Sequence, residues 1–481
     1  MIAKTFQGLE TVLATELIEL GANNIQIGRR MVSFTGDKEL LYRANFQLRT
    51  AVKVLKPIKH FRATSADEVY NAVQEIDWTT YLTPETTFAV DSVVFSQEFR
   101  HSKFVAYKVK DAIVDQLRER TGTRPNISVT NPDLQLHIHI AEYDCTLSLD
   151  SSGESLHRRG YRQETGEAPL NEVLAAGIIM LTGWKGECDF IDPMCGSGTF
   201  AIEAALIARG IAPGVYRKAY AFEKWQDFDQ ELFDAIYEDD SRERTFDHHI
   251  YGYDINRNAV AIATNNVKAA GLSKEITIAQ QDFAEFKKPK EQAIIVTNPP
   301  YGERISAPDL LGLYRMIGST LKHEFTDGTA WVLSYREECF DQIGLKPSLR
   351  TPLFNGSLEC ELRKYQMFSG KFNEMRAEGG DIKTAQERRM MADRKRFKQH
   401  RDCKERLEDD PSERFTRKKD REDYRRDSKR GGDRRDFQGG RRDFRDDRRD
   451  GRKDFRKPSG KPFDRNKPDK KYGKKRYGNE D

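Results

Sequence analysis

Asn298-Pro299-Pro300-Tyr301 is the stretch of this chain best equipped for chemistry. It follows a short apolar run, Ala293 to Val296, that reads as a buried strand. Two consecutive prolines remove two backbone donors and fix two φ angles, so the chain stiffens as it leaves the sheet. The Asn side chain brings an amide acceptor and an amide donor, and Tyr301 brings a flat face. A planar, amino-bearing group such as a nucleobase edge fits that set. A Pro-rich turn without chemistry has the same local spelling, so the reading needs a second motif.

The second motif lies about a hundred residues upstream. Asp189-Phe190-Ile191-Asp192 reads as a strand, Pro193 to Thr199 as a Gly-rich turn, and Phe200 to Ala208 as a helix. Glycines let a backbone approach a ligand closely, and a helix N-terminus favours negative charge there. The third Gly of a dinucleotide fingerprint is missing, and no Lys follows the glycines as a Walker loop requires. An acid at the strand end with Gly196-Ser197-Gly198-Thr199 suits S-adenosyl-L-methionine, which carries a cationic sulfonium and amino group beside a carboxylate. Cys195 sits in this turn, but methyl transfer to nitrogen needs no nucleophilic thiol, and Cys195 is read as a small packing residue.

Two more acids fall where such a sheet needs them. Asp254 ends the next apolar run, Tyr251 to Asp254, and an acid there can hold both ribose hydroxyls of a nucleoside. Asp282 follows Ile276 to Ala279, where it can accept an adenine amino group while Phe283 packs on the ring. Singly, an Asp after a strand is more often a cap or turn residue; the ordered series favours the ligand reading. The long interval before Asp254 holds an aromatic and acidic stretch, Tyr216 to Asp247, expected as an inserted helical segment. Leu310 to Leu321 reads as a helix, Ala330 to Ser334 as a strand, and Arg363 to Phe368 as a last strand able to close a hairpin. Alternating strands and helices imply a mostly parallel sheet covered on both faces, with ligands at the carboxyl ends of its strands.

Asp192 to Thr199, taken with Thr297-Asn298-Pro299-Pro300-Tyr301-Gly302-Glu303-Arg304, resembles the THUMP-containing class I RNA methyltransferases. Within them it is most similar to the bacterial enzymes that methylate guanine N2 of 23S ribosomal RNA. Ser155 to Arg162 followed by Ala168-Pro169-Leu170, the opening Thr5 to Glu10, Ala212-Pro213-Gly214 and Phe222 to Trp225 extend the resemblance over roughly residues 1 to 370. It implies an α/β fold: a Rossmann-like, mostly parallel seven-stranded methyltransferase domain (155–370), preceded by an α+β ferredoxin-like module (1–43) and a THUMP RNA-binding domain (44–154). After about Phe368 no second Gly-rich strand-turn-helix follows, so a single activity is expected.

The resemblance also implies a chemistry: direct methyl transfer to the exocyclic N2 of a guanine. That lone pair is delocalised into the ring. Acceptors at the Asn298 amide oxygen and the Pro299 carbonyl can hold the two amine hydrogens and favour a pyramidal nitrogen. Tyr301 stacks on the extruded base; unstacking costs a few kcal/mol and stacking on an aromatic returns about 1–3 kcal/mol. Glu303 and Arg304 are either a surface pair or an RNA contact. Asn-Pro-Pro-Tyr also serves adenine N6 and protein glutamine, and THUMP domains serve transfer RNA too. A non-catalytic ribosome-assembly factor is the rival from another class.

Composition fits an RNA-handling protein of the cytoplasm. No run of eighteen apolar residues exists, Met1 to Glu10 lacks the apolar core of a signal peptide, and six scattered cysteines form no CxxC pair, so neither a metal site nor a disulfide framework is indicated. Residues 401–481 carry 31 Lys and Arg against 21 Asp and Glu, a net +10, which leaves the first 400 residues at −6. That tail (taken as 371–481) has, beyond residue 400, Leu407 as its one Val, Ile, Leu or Met, so it is expected to be disordered. It repeats Arg434-Arg435-Asp436-Phe437, Arg441-Arg442-Asp443-Phe444 and Arg452-Lys453-Asp454-Phe455, whose cations and rings can contact RNA.

In the front half, Thr11 to Leu20 reads as a helix and Val32 to Phe34 as a strand. Leu134 to Ile140 alternates apolar residues with Gln135, His137 and His139, which places both histidines on a polar, solvated or RNA-facing side. Phe104 to Arg120 reads as a helix whose Lys108, Lys110, Arg118 and Arg120 either form a solvated face or touch phosphates.

Overall fold

The computed structural model describes residues 1–368 except 167–168, 288–291, 301 and 303–308. The front half comprises β1 (Ile2–Lys4), α1 (Glu10–Glu19), β2 (Asn23–Gly28), β3 (Met31–Thr35), α2 (Lys38–Gln47), β4 (Lys53–Arg62), α3 (Ala66–Gln74), β5 (Thr87–Phe95), α4 (Ser102–Thr121), β6 (Asn126–Ile127), β7 (Leu134–Ala141) and β8 (Asp144–Asp150). Its eight strands make one sheet in the order β2-β3-β1-β4-β8-β7-β5-β6. The alternation in β7 buries Leu134, Leu136, Ile138 and Ile140 against α1 to α4, which share one apolar cluster with that face. Strand β4 pairs with β1 on one side and β8 on the other, so the two expected front modules share a continuous sheet. Residue 43, the expected module boundary, falls inside α2, whose Asp37 cap accepts from the Leu40 amide.

The back half comprises α5 (Glu172–Thr182), β9 (Asp189–Asp192), α6 (Thr199–Arg209), α7 (Gln230–Tyr237), β10 (Ile250–Asp254), α8 (Arg257–Ala269), β11 (Ile276–Gln280), β12 (Ala293–Thr297), α9 (Leu310–Glu324), β13 (Thr329–Ser334), α10 (Glu337–Gln342), β14 (Leu349–Asn355) and β15 (Leu358–Gln366). The sheet order is β11-β10-β9-β12-β13-β15-β14, parallel except for β15, which runs antiparallel to both β13 and β14. Every residue of β9 and β12 is buried, as central parallel strands covered on both faces must be. Phe190, Ile250 and Val296 pack against α5 and α6 on one face, while Ile191, Ile295 and Val332 pack against α9 and α10 on the other. From β9 the chain steps outward to β10 and β11, then returns to the far side of β9 as β12. That reversal opens a crevice beyond the carboxyl ends of β9 and β12.

Residues 216–247 differ from the expected helical insert. They hold the end of one 3-10 turn, a second 3-10 turn (Ala221–Lys224) and a single α-helix, α7. Their aromatics are too irregularly spaced for one helical stripe and instead stack individually: Phe222 lies 4.4 Å from Tyr42 at an interplanar angle of 19°, and Phe233 meets Phe46 edge-on. The insert thus ties the two halves together. Leu9 adds to the tie by packing in the cluster of α5 and α6, and Arg49 donates to the carbonyls of Leu206 (3.2 Å) and Ile211 (2.8 Å). The last strand, expected from residue 363, starts at Leu358, because its pairing with β14 begins at the Asn355–Leu358 turn.

Candidate functional site

Asp192 is the last residue of β9 and is 2% exposed. One carboxylate oxygen accepts from the Met194 amide at 3.2 Å. Burial, with the nearby Asp254 charge adding to it, pushes its pKa up to about 8 against the pull of the Met194 amide and the Thr297 hydroxyl. Immediately after it the chain turns through Pro193 to Gly198 into α6. Gly196 and Gly198 have φ of +52° and +80°, which L side chains rarely adopt. The two glycines differ in surroundings. A Cβ on Gly198 would meet Ala263 of α8 at 3.2 Å, whereas a Cβ on Gly196 would meet nothing within 4 Å. Gly198 is therefore a packing glycine and Gly196 borders open space.

Asp254 ends β10 beside this turn. One oxygen accepts from the Gly196 amide at 3.0 Å and the other from the Asn256 amide at 2.8 Å. The Cys195 amide donates to the Tyr253 carbonyl at 2.8 Å, so the Gly-rich turn is fastened to the end of β10. Asp282 follows β11, one strand further out, and caps a 3-10 turn by accepting from the Ala284 amide at 2.9 Å. Phe283, expected against an adenine ring, is 3% exposed and packs with Phe286 and Phe325. Cys195 is 6% exposed, and burial holds its thiol well above the usual range, as a packing residue requires.

Asn298, Pro299 and Pro300 leave β12 next to β9, with Ile295 paired to Ile191. The Asn298 amide oxygen is buried and has no hydrogen-bond partner among the described residues. Burying an acceptor unpaired costs about 1–3 kcal/mol, so a partnerless oxygen at a strand end invites a donor from outside. Asp192 and Asp254 thus end the paired strands β9 and β10, with the Gly196 amide donating to Asp254, while Asn298 follows β12 on the other side of β9 and Asp282 follows β11. Tyr301, Glu303 and Arg304 lie outside the described residues. A separate groove of 720 Å³, lined by Asp189, His249, Tyr251, Tyr253 and Phe286 among others, shares none of these site residues.

Ser197 and Thr199 face a residue to which the sequence assigns no role. Arg162 donates to the Ser197 hydroxyl (2.7 Å), the Thr199 hydroxyl (2.9 Å), the Leu170 carbonyl (3.2 Å) and Glu172 (2.8 Å). Asn266 of α8, fully buried, accepts from the Gln163 and Glu164 amides and donates to the Glu164 and Ser197 carbonyls. Arg162 lies in the stretch that carries the family resemblance; Asn266 had no local signal at all.

The front half adds detail to two readings. His137 and His139 lie on the sheet face away from the helices, but both are half-buried rather than solvated. Burial, then Lys4 and Lys53, hold the His137 pKa down at about 4. On α4, each named cation already has an acid: Lys108 with Asp67, Lys110 with Asp111, Arg118 with Asp115 and Arg120 with Asp77. Asp67 and Asp77, from α3 and its following loop, join Asp111 and Asp115 of α4 itself in pairing these cations. Among the described residues, no group of three or more His, Cys, Asp or Glu is placed to hold a metal ion, and no helix is long and apolar enough to cross a membrane.

Comparison with known proteins agrees with this architecture. The family described as RMKL-like, methyltransferase domain, matches residues 159–364; the THUMP domain family matches 63–150; and the RlmL ferredoxin-like domain family matches 1–55. A Synechocystis protein named "Putative RNA methyltransferase" is 39% identical over 76% of this chain and 96% of its own length. The ribosomal RNA large subunit methyltransferase K/L of Cellvibrio japonicus is 38% identical over 77% of this chain. The chain spans about half the length of that relative, 52%. A crystal structure described as a "putative methyltransferase complexed with SAH" superposes with a TM-score of 0.70 at 30% identity, covering 77% of this chain and 98% of the other.

Proposed function

This chain belongs to the THUMP-containing, RMKL-like methyltransferase family, and from that membership we propose that it methylates the exocyclic N2 of a guanine in 23S ribosomal RNA, in the cytoplasm, using S-adenosylmethionine. The observation that carries the choice of an amine acceptor is the buried, partnerless amide oxygen of Asn298 behind two prolines. The relatives named as large-subunit ribosomal RNA methyltransferases support the choice of RNA.

The crevice suits the cofactor. Its acids can meet a cationic amino group, its open Gly196 flank leaves room against the turn, and the amides at the start of α6 favour a carboxylate. In this proposal Asp192, Gly196, Ser197, Gly198 and Thr199 hold the amino-acid end. Ser197 and Thr199 serve through backbone rather than hydroxyl oxygens, which already accept from Arg162. Asp254 holds the ribose and Asp282 the adenine edge. S-adenosylmethionine supplies an electrophilic methyl group on a cationic sulfur.

The chain's own residues prepare the nucleophile. Asn298 and the Pro299 carbonyl accept the two hydrogens of the guanine amine and hold it out of conjugation with the ring. Pro299 and Pro300 keep both acceptors rigid, so little ordering remains to be done when the base arrives. Tyr301 stacks on the base. The amine proton becomes acidic as the new bond forms and passes to solvent, so no strong base is needed. The front half captures the RNA.

A direct test incubates the purified chain with protein-free 23S ribosomal RNA, transfer RNA and duplex DNA in the presence of labelled S-adenosylmethionine. Label recovered as N2-methylguanosine from the ribosomal RNA is expected. Label in N6-methyladenosine, or in transfer RNA alone, contradicts the proposal in base or in substrate respectively.

A further inference from the structure

We propose that Arg162 is a positioning residue for methyl transfer: it braces the Gly-rich turn against the interdomain linker and so sets the affinity for S-adenosylmethionine without touching it. The inference rests on the cofactor site proposed above, and not on which base receives the methyl group.

The guanidinium reaches four acceptors on two separate pieces of chain. They are Glu172 in the first turn of α5, the Leu170 carbonyl just before that helix, and the hydroxyls of Ser197 and Thr199 on the turn. The Arg162 side chain is 13% exposed and Glu172 is 7% exposed, so the pair is shielded from competing water. A planar fork with five donors can satisfy acceptors arrayed this way; an ammonium on a flexible stem cannot reach all of them together. Asn266 repeats the connection from the other side. Its amide makes two accepted and two donated bonds, three to the linker backbone at Gln163 and Glu164 and one to the Ser197 carbonyl. All four of its hydrogen-bonding positions are filled by backbone.

The turn is therefore clamped on three sides: by Asp254 and Tyr253 at the end of β10, by Asn266 on α8, and by Arg162 on the linker. The clamp matters because the turn runs through two left-handed glycines, at Gly196 and Gly198, which have many alternative conformations when unrestrained. Holding those amides in one arrangement before the ligand arrives spares the entropy that binding would otherwise have to supply. The linker is itself anchored upstream. The Leu156 amide donates to the Val52 carbonyl at 2.8 Å, and Arg159 donates to the Arg49 carbonyl, both in the front half. Seven residues, 156–162, thus connect the RNA-capturing half to the turn.

The test uses the full chain and two variants, Arg162→Lys and Arg162→Ala. Binding of S-adenosylhomocysteine is measured by calorimetry, and binding of total ribosomal RNA by filter retention at fixed salt. Both variants are expected to weaken S-adenosylhomocysteine at least fivefold, to raise KM for S-adenosylmethionine in parallel, and to leave kcat at saturating cofactor within threefold and RNA affinity within twofold. A purely structural arginine would not give that split. Should Arg162→Ala fail to fold, Arg162→Lys, which keeps the charge and the stem, decides alone. A change under fivefold in Arg162→Lys overturns the proposal, as does a parallel loss of cofactor and RNA affinity. A wild-type chain that gives no heat with S-adenosylhomocysteine would instead remove the cofactor site, which separates the two failures.

Discussion

Replacing Asn298 with Ala should separate stability from turnover. The Asn298 amide oxygen is buried with no partner among the described residues, and leaving such an acceptor unpaired costs about 1–3 kcal/mol in the folded protein. Truncation removes that penalty together with a modest amount of packing, since the residue is only half-buried. The two effects oppose each other, so urea unfolding should find the variant within about 1 kcal/mol of wild type, or more stable. Turnover should move much further. An acceptor that engages the amine as charge develops is comparable to an oxyanion-hole donor, whose removal costs about 2.7–4 kcal/mol, or 10²–10³ in kcat. Single-turnover methylation of RNA, with cofactor affinity measured alongside by calorimetry, supplies both numbers. A kcat within threefold of wild type would falsify the role given to Asn298. A loss of more than about 2 kcal/mol of stability together with cofactor binding would show that the side chain holds the fold and not the substrate.

Three further outcomes follow from particular residues. Asp192 has a folded pKa raised to about 8, so its contribution to stability is greatest in acid and is lost as pH rises toward and through 8; Asp192→Asn should flatten that decline in a thermal melt series from pH 5 to 9, raise stability at pH 8 by about 1–3 kcal/mol, and abolish cofactor binding. Gly196→Ala should lower stability by only about 1–2 kcal/mol, the strain of a left-handed alanine, while weakening S-adenosylhomocysteine at least tenfold, because its Cβ projects into open space beside the turn; unchanged affinity would move the ligand away from Gly196. Arg159→Met strands the buried Glu203 carboxylate, whose pKa burial already raises, and should cost about 3–5 kcal/mol in urea, with Glu203→Gln recovering part of it; no loss would mean that this pair does not fix the linker.

The catalytic half was legible because its signals are local. The burial of β12 shows as a short continuous apolar run, the turn shows as glycines at fixed offsets after the acid that ends β9, and Asn298-Pro299-Pro300 follows its strand without a gap. The parts that could not be read depend on residues far apart in sequence. Asn266 bonds to residues 69 and about a hundred positions upstream, and nothing near it marks that use. The cations of α4 look free until folding brings Asp67 and Asp77 beside them. Strand β4 completes the front sheet only because β1 and β8 close on it from both sides, which a boundary drawn near residue 43 does not anticipate. The insert after α6 was read as helical from its length and composition, yet its rings are placed by Tyr42 and Phe46 of another domain. Tyr301 and the basic tail lie outside the described residues.

Nucleoside mass spectrometry of 23S ribosomal RNA from cells lacking this gene tests the central claim most directly, with the wild-type chain and Asn298→Ala each supplied in turn. One N2-methylguanosine should disappear on deletion, return with the wild-type chain and stay absent with the variant. An unchanged N2-methylguanosine content, or loss of a methylated adenosine in its place, would contradict it.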